Sequence, residues 1–115
     1  MKKQFRICKN YEFSSIIANR TFVKSSSFVL YFVERKEEHS RIGLSVGKKL
    51  GNAVCRNMVK RQVRMMVDQI FDFEEAYDVV IIVRPMYHQQ SFAQNLEELK
   101  EDKKRLEKRF RKMRG

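Results

Sequence analysis

Seven side chains in the middle of the chain have the types and spacing to hold phosphate: Lys48, Lys49, Arg56, Asn57, Lys60, Arg61 and Arg64. Arginine presents a planar fork of N–H donors that can meet two phosphate oxygens at once, and lysine adds a compact charge. At about 100° per residue, Arg56, Asn57, Lys60, Arg61 and Arg64 share one sector of a helix. Lys48 and Lys49 stand just before it, bracketed by Gly47 and Gly51 in a predicted turn. No Asp or Glu lies between Glu38 and Asp68. Nothing in that stretch neutralises the cations, so a polyanion is the partner that relieves their repulsion. The 115-residue chain carries 25 Lys and Arg against 14 Asp and Glu, a net charge of +11. That balance points to nucleic acid.

Other chemistries have weaker signals. Gly43-Leu-Ser-Val-Gly47-Lys48-Lys49 invites comparison with a phosphate-binding P-loop. It fails, because the glycines are one residue too close and no Ser or Thr follows the lysine. His39 and His88 have no ligand-spaced Cys, Asp or Glu and read as loop histidines. Asp72, Glu74, Glu75 and Asp78 read as a solvated connector, and no hydrolytic triad is visible. No metal site is expected in the polypeptide. Cys8 and Cys55 show no metal spacing, and the N-terminus has no apolar stretch of a secretory signal, so reduced thiols and a cytoplasmic location are expected. No long apolar run or lipidation signal suggests a membrane. Phe13 and Tyr31 are of a kind that stacks on bases, though core packing explains them equally. The basic run from Lys103 to Arg114 reads first as a solvated helix end and second as a nucleic-acid contact.

Residues 1–9, with Lys2, Lys3, Arg6 and Lys9, are expected as a loosely ordered basic arm. Residues 10–19 form a short helix capped by Asn10, with Phe13, Ile16 and Ile17 on its apolar side. Thr21 to Lys24 is β-prone, and Ser25 to Ser27 is a turn. Phe28–Val33 is a strand apolar on both faces, with Phe28, Leu30 and Phe32 opposite Val29, Tyr31 and Val33. Residues 34–40 are expected as a hairpin loop, with Arg41–Val46 returning. The basic helix spans Ala53 to Phe71, capped by Asn52, with Cys55, Val59, Val63, Met66 and Ile70 on its apolar sector. A strand at Tyr77–Val83 completes a βαβ unit, so it should run parallel to the Arg41 strand. A last helix extends from Ser91 to about Arg111, its stripe formed by Phe92, Leu96, Leu99, Lys103, Leu106 and Phe110. The chain is thus expected as one α+β domain over 1–115, an α-β sandwich of order αβββαβα with helices on a small mixed sheet.

The segment Gly51-Asn-Ala-Val-x-Arg56-Asn57-x-x-Lys60-Arg61-x-x-Arg64 resembles the signature of the bacterial ribonuclease P protein subunit. The resemblance extends through the early helix with Phe13, the strand with Tyr31, and the closing helix. It implies an accessory subunit of a ribonucleoprotein endonuclease that removes the 5′ leader from precursor tRNA. A large RNA with magnesium ions would perform the cleavage, and the protein would bind that RNA and the leader, with no obligate protein partner. The implied fold is similar to one domain of a small-subunit ribosomal protein, with a left-handed βαβ crossover. By position, Arg56, Asn57, Lys60, Arg61 and Arg64 would face the catalytic RNA, with Lys48 and Lys49 adding phosphate contacts. Phe13, Ile17, Val29 and Tyr31 would line the leader cleft. Ile17 stands where many members have a second aromatic residue; it can fill the wall but stacks poorly. The alternative class is a ribosomal or other structural RNA-binding protein with no part in cleavage.

Overall fold

The computed structural model describes residues 1–114. The helices and strands follow in the expected order: α1 Asn10–Ala18, β1 Phe22–Lys24, β2 Phe28–Glu34, β3 Ile42–Val46, α2 Ala53–Ile70, β4 Tyr77–Val83 and α3 Phe92–Arg114. Short 3-10 turns occupy Lys3–Phe5, Lys48–Leu50 and Pro85–Gln89.

The strands form one mixed sheet in the order β1-β2-β4-β3. β3 runs parallel to β4, Ile42 opposite Val79 and Val46 opposite Val83, as the βαβ pattern requires. β1 and β2 make a hairpin closed at Ser25–Ser27, with the Ser25 amide donating to Phe28 O at 2.8 Å. The expected hairpin between β2 and β3 does not form, because β4 lies between them. Burial explains the placement. Val79, Val80 and Ile81 are all fully buried, and a central strand is where both faces are covered and both backbone edges are paired. β3, with Gly43 and Ser45 on one face, takes the edge. The 35–41 connection therefore crosses the end of β4 and is pinned to it. Arg35 N donates to Ala76 O at 3.1 Å, and Arg41 N donates to Asp78 Oδ1 at 2.8 Å.

Alternation along β2 divides the core as anticipated. Phe28, Leu30 and Phe32 are fully buried on the face shared with α2 and α3. Each large apolar side chain so buried contributes about 1.5–3 kcal/mol. Tyr31 and Val33 point to the other face and pack with Ile16 of α1 and Val80 of β4. The α3 stripe is partly different from its expected composition. Leu99, Leu106 and Phe110 are buried, but Phe92 is 37% exposed, and Asn95 and Asp102 occupy inward positions. Both are satisfied: Ser27 Oγ donates to Asn95 Oδ1 at 2.9 Å, and Ser25 Oγ donates to Asp102 Oδ2 at 2.6 Å. Burial pushes the Asp102 carboxyl up to about 6, with the Ser25 hydroxyl working against that rise. This polar seam fixes how α3 sits on the β1–β2 turn, since shifting it would strand buried polar groups.

Two expectations at the N-terminus are corrected. Residues 1–9 are not a loose arm. Ile7 is buried, Ile7 N donates to Ile42 O at 3.0 Å, and Phe5 stacks on Phe73 at 4.5 Å between ring centroids. The apolar Phe5 and Ile7, rather than the surrounding cations, decide where the segment lies. Asn10 is the first residue of α1 and not its cap; that position is Lys9, whose side chain makes no cap bond.

Candidate nucleic-acid interface

The basic helix starts with a well-defined cap. Asn52 Oδ1 accepts the Cys55 amide at 2.9 Å, a bond typically worth about 1 kcal/mol. Gly51 has φ of +125°, a conformation that side-chain-bearing residues rarely adopt, and a Cβ there would lie 3.0 Å from Cys55 Cβ. The sharp turn this allows sets Lys48 and Lys49 directly before the helix. His88 holds the turn from outside: its Nε2–H donates to Leu50 O at 2.7 Å, and Cys55 Sγ reaches the same carbonyl at 3.2 Å. The His88 contact is invisible to a reading of spacing, because it joins segments 38 residues apart.

Val59, Val63, Met66 and Val67 bury the inner side of α2. Along its outer edge Asn57 and Arg61 are exposed, and Arg56, Lys60 and Arg64 are half-buried. The Arg56–Arg64 strip rises about 12 Å along the helix. Among the described residues, none of Lys48, Lys49, Arg56, Lys60, Arg61 and Arg64 enters an ion pair. Asp68, the first acid beyond the strip, is bound instead by the Met1 ammonium at 3.1 Å. Arg56 Nε and Arg64 Nε are shielded from solvent and donate to no protein acceptor.

The strip opens into a cleft of about 620 Å³ that passes the β3 edge. Lys60 and Arg64 form one side, Phe13 and Ile17 of α1 the other, and Ser45 lies between. Arg6, whose Nε also lacks a protein acceptor, lines it as well. Phe13 approaches β3 closely because residue 43 is glycine: a Cβ there would sit 2.7 Å from Phe13 Cζ. α1 is fastened by Arg41, which pairs with Glu12 at 2.8 Å and Asp78 at 3.3 Å. Burial raises the Asp78 carboxyl above its ordinary range, with the contacts to Arg41 opposing.

The sequence-derived residues thus fall into three connected places. The seven polar residues share the turn and outer edge of α2. Phe13 and Ile17 face them across the cleft. Val29 and Tyr31 lie on β2, on the α1 side of the sheet but beyond the cleft wall, with Tyr31 against Phe22 at 5.1 Å between centroids. Arg6 and Ser45 were not anticipated in the site. Arg6 had a signal, its charge, but its seat beside β3 depends on the long-range bridge to Ile42.

The family model described as Ribonuclease P matches residues 1–107. A ribonuclease P protein component from Mesoplasma florum is 50% identical over 101 residues, spanning 86% of this chain and 92% of its own. The chain belongs to the ribonuclease P protein family. The member from Ligilactobacillus salivarius is 36% identical over 102 residues, covering 87% of this chain and 90% of its own. The solved RNase P protein of Staphylococcus aureus superposes with a TM-score of 0.79 at 35% identity, over 87% of this chain and 93% of that one. The RNase P protein of Thermotoga maritima gives 0.70 at 26% identity, over 82% and 90%. Membership makes this chain a subunit of a ribonucleoprotein endoribonuclease of tRNA processing. Among the described residues no helix is long and apolar enough to cross a membrane, and no three His, Cys, Asp or Glu side chains converge on a metal position.

Proposed function

We propose that this chain grips the RNA subunit of ribonuclease P with the outer edge of α2, and guides the 5′ leader of precursor tRNA through the adjoining cleft. The observation that carries this is the run of cations from Lys48 to Arg64, none of which enters an ion pair among the described residues. Lys48, Lys49, Arg56, Lys60, Arg61 and Arg64 neutralise phosphates, and Asn57 adds a neutral hydrogen-bonding group among them. Phe13 and Ile17 form an apolar wall for a single strand, and Val29 and Tyr31 continue it across β2.

Cleavage of the phosphodiester bond belongs, in this proposal, to the RNA and its magnesium ions. Among the described residues no three His, Cys, Asp or Glu side chains are grouped to hold an ion, and no chemical step is assigned to the polypeptide. Its contribution is charge neutralisation and orientation, which raise the chance that substrate meets the catalytic RNA in a productive geometry. The test is cleavage of precursor tRNA by RNA-free protein, by the RNA subunit alone, and by both. Protein alone is expected to leave the substrate intact, and the pair to cleave at lower salt and magnesium than RNA alone. Robust cleavage by RNA-free protein would overturn the division of labour.

A further inference from the structure

A second basic surface lies at the opposite edge of the sheet. Lys24 of β1 and Arg105, Lys108, Arg109 and Lys112 of α3, with Phe22, line a groove of about 560 Å³ that contains no acidic residue. Arg105 Nη1 donates to Lys24 O at 3.0 Å, and Arg109 Nη1 donates to Phe22 O. These bonds cap the carbonyls of the edge strand and hold two guanidinium groups in place. Arg105 is also paired with Asp102 at 3.2 Å. Lys24, Lys108, Arg109 and Lys112 have no ion-pair partner among the described residues. Lys24, Lys108 and Lys112 are exposed.

The register of the sheet connects this groove to the cleft. Ser45 of β3 stands opposite Ile82 of β4, Ile82 opposite Val29 of β2, and Val29 opposite Lys24 of β1. All four belong to one row on the α1 side of the sheet, and each keeps some exposure. The row begins at the cleft, where Ser45 is a wall residue, and ends at the groove, where Lys24 is one. Three strand spacings make it about 14 Å long. Its middle is apolar, Ile82 and Val29, and flanked by Tyr31 and Phe22 in the neighbouring row. An apolar crossing with stackable rings, leading from one cationic surface to another, has the chemistry of a single-stranded polynucleotide track.

We infer that the β1–α3 groove holds the upstream part of the 5′ leader, after the strand has crossed the sheet along Ser45, Ile82, Val29 and Lys24. This rests on the leader-cleft proposal above and extends it to a second phosphate-binding surface. The leader then touches the protein at two places, so affinity depends on leader length beyond what the cleft alone requires.

The experiment measures dissociation constants of the reconstituted holoenzyme for precursor tRNAs with leaders of about 2, 4, 8 and 16 nucleotides, from below to the top of the range of single-strand site sizes, about 4 to 16. The Lys108→Ala/Lys112→Ala and Lys24→Ala variants replace exposed lysines, and thermal melting checks that they fold. The expected result is that the affinity gained on lengthening the leader falls, on the order of tenfold for the double variant. The shortest leader should bind as to wild type. An unchanged length dependence would overturn the track, as would an equal loss at every length, which would place the lysines on another part of the complex or on an acidic protein partner. A parallel Tyr31→Ala arm separates the two levels. If Tyr31→Ala leaves every leader unaffected, the cleft proposal fails and the track with it. If Tyr31→Ala weakens leader binding while the lysine variants keep the full length dependence, only the track fails.

Discussion

Replacing Arg56 and Arg61 together with alanine is expected to weaken association with the ribonuclease P RNA and to flatten its salt dependence by about 1.4 to 1.8 logarithmic units, from about 0.7 to 0.9 per lost phosphate contact. The size follows from counterion release: each neutralised phosphate frees a condensed cation, so removing an arginine removes its share of the slope. Both residues lie on the outer side of a helix whose opposite side is fully buried at Val59, Val63 and Met66. Neither arginine enters an ion pair among the described residues, so the substitutions break no internal charge network. Arg61 is exposed and its loss should leave stability nearly unchanged. Arg56 is half-buried and loses some stem packing, which a melting curve separates from the RNA effect. Binding titrations between 50 and 400 mM salt give the comparison. A slope equal to wild type would remove α2 from the RNA interface.

Tyr31→Ala is expected to weaken binding of precursor tRNA by about 1–3 kcal/mol, the scale of one base stacked on an aromatic ring. Mature tRNA, which has no leader, should bind as before. Tyr31 also packs against Phe22 and the α1 cluster, so truncation will cost stability as well. Tyr31→Phe provides the control, since it keeps the ring and removes only the hydroxyl. It should retain leader binding if stacking is the cause. Equal losses for precursor and mature tRNA would reassign Tyr31 to packing alone.

The basic surface was legible because its determinants are local. The 3.6-residue repeat puts Arg56, Lys60 and Arg64 on one edge whatever the rest of the chain does, and the Asn52 cap lies three residues from the amide it accepts. The strand alternation in Phe28–Val33 was legible for the same reason. What failed was long-range. A hairpin is the natural reading of two strands joined by a charged loop, and only the greater burial demanded by Tyr77–Val83 inserts β4 between β2 and β3. The inward Asn95 and Asp102 break the apolar stripe of α3, and their partners Ser25 and Ser27 lie about 70 residues earlier. The cleft with Arg6 and Ser45, and the row that ends at Lys24, exist only once strand order and register are known. The wider family resemblance supplied the leader-cleft roles of Phe13, Val29 and Tyr31; residue type and spacing left base stacking and core packing equally open for Phe13 and Tyr31.

The most direct test of the α2 surface is tethered cleavage. With Cys8 and Cys55 replaced by serine, a single cysteine introduced by Met65→Cys would carry an iron chelate that cuts nearby RNA. Met65 is 51% exposed and borders Arg61 and Arg64 without being one of the cations. Glu97→Cys, on the exposed face of α3, serves as the distant probe. Strong, localised scission of the ribonuclease P RNA from position 65, and little from position 97, is the expected result. No scission from position 65 in an assembled, active holoenzyme would contradict the assignment of α2 to the RNA.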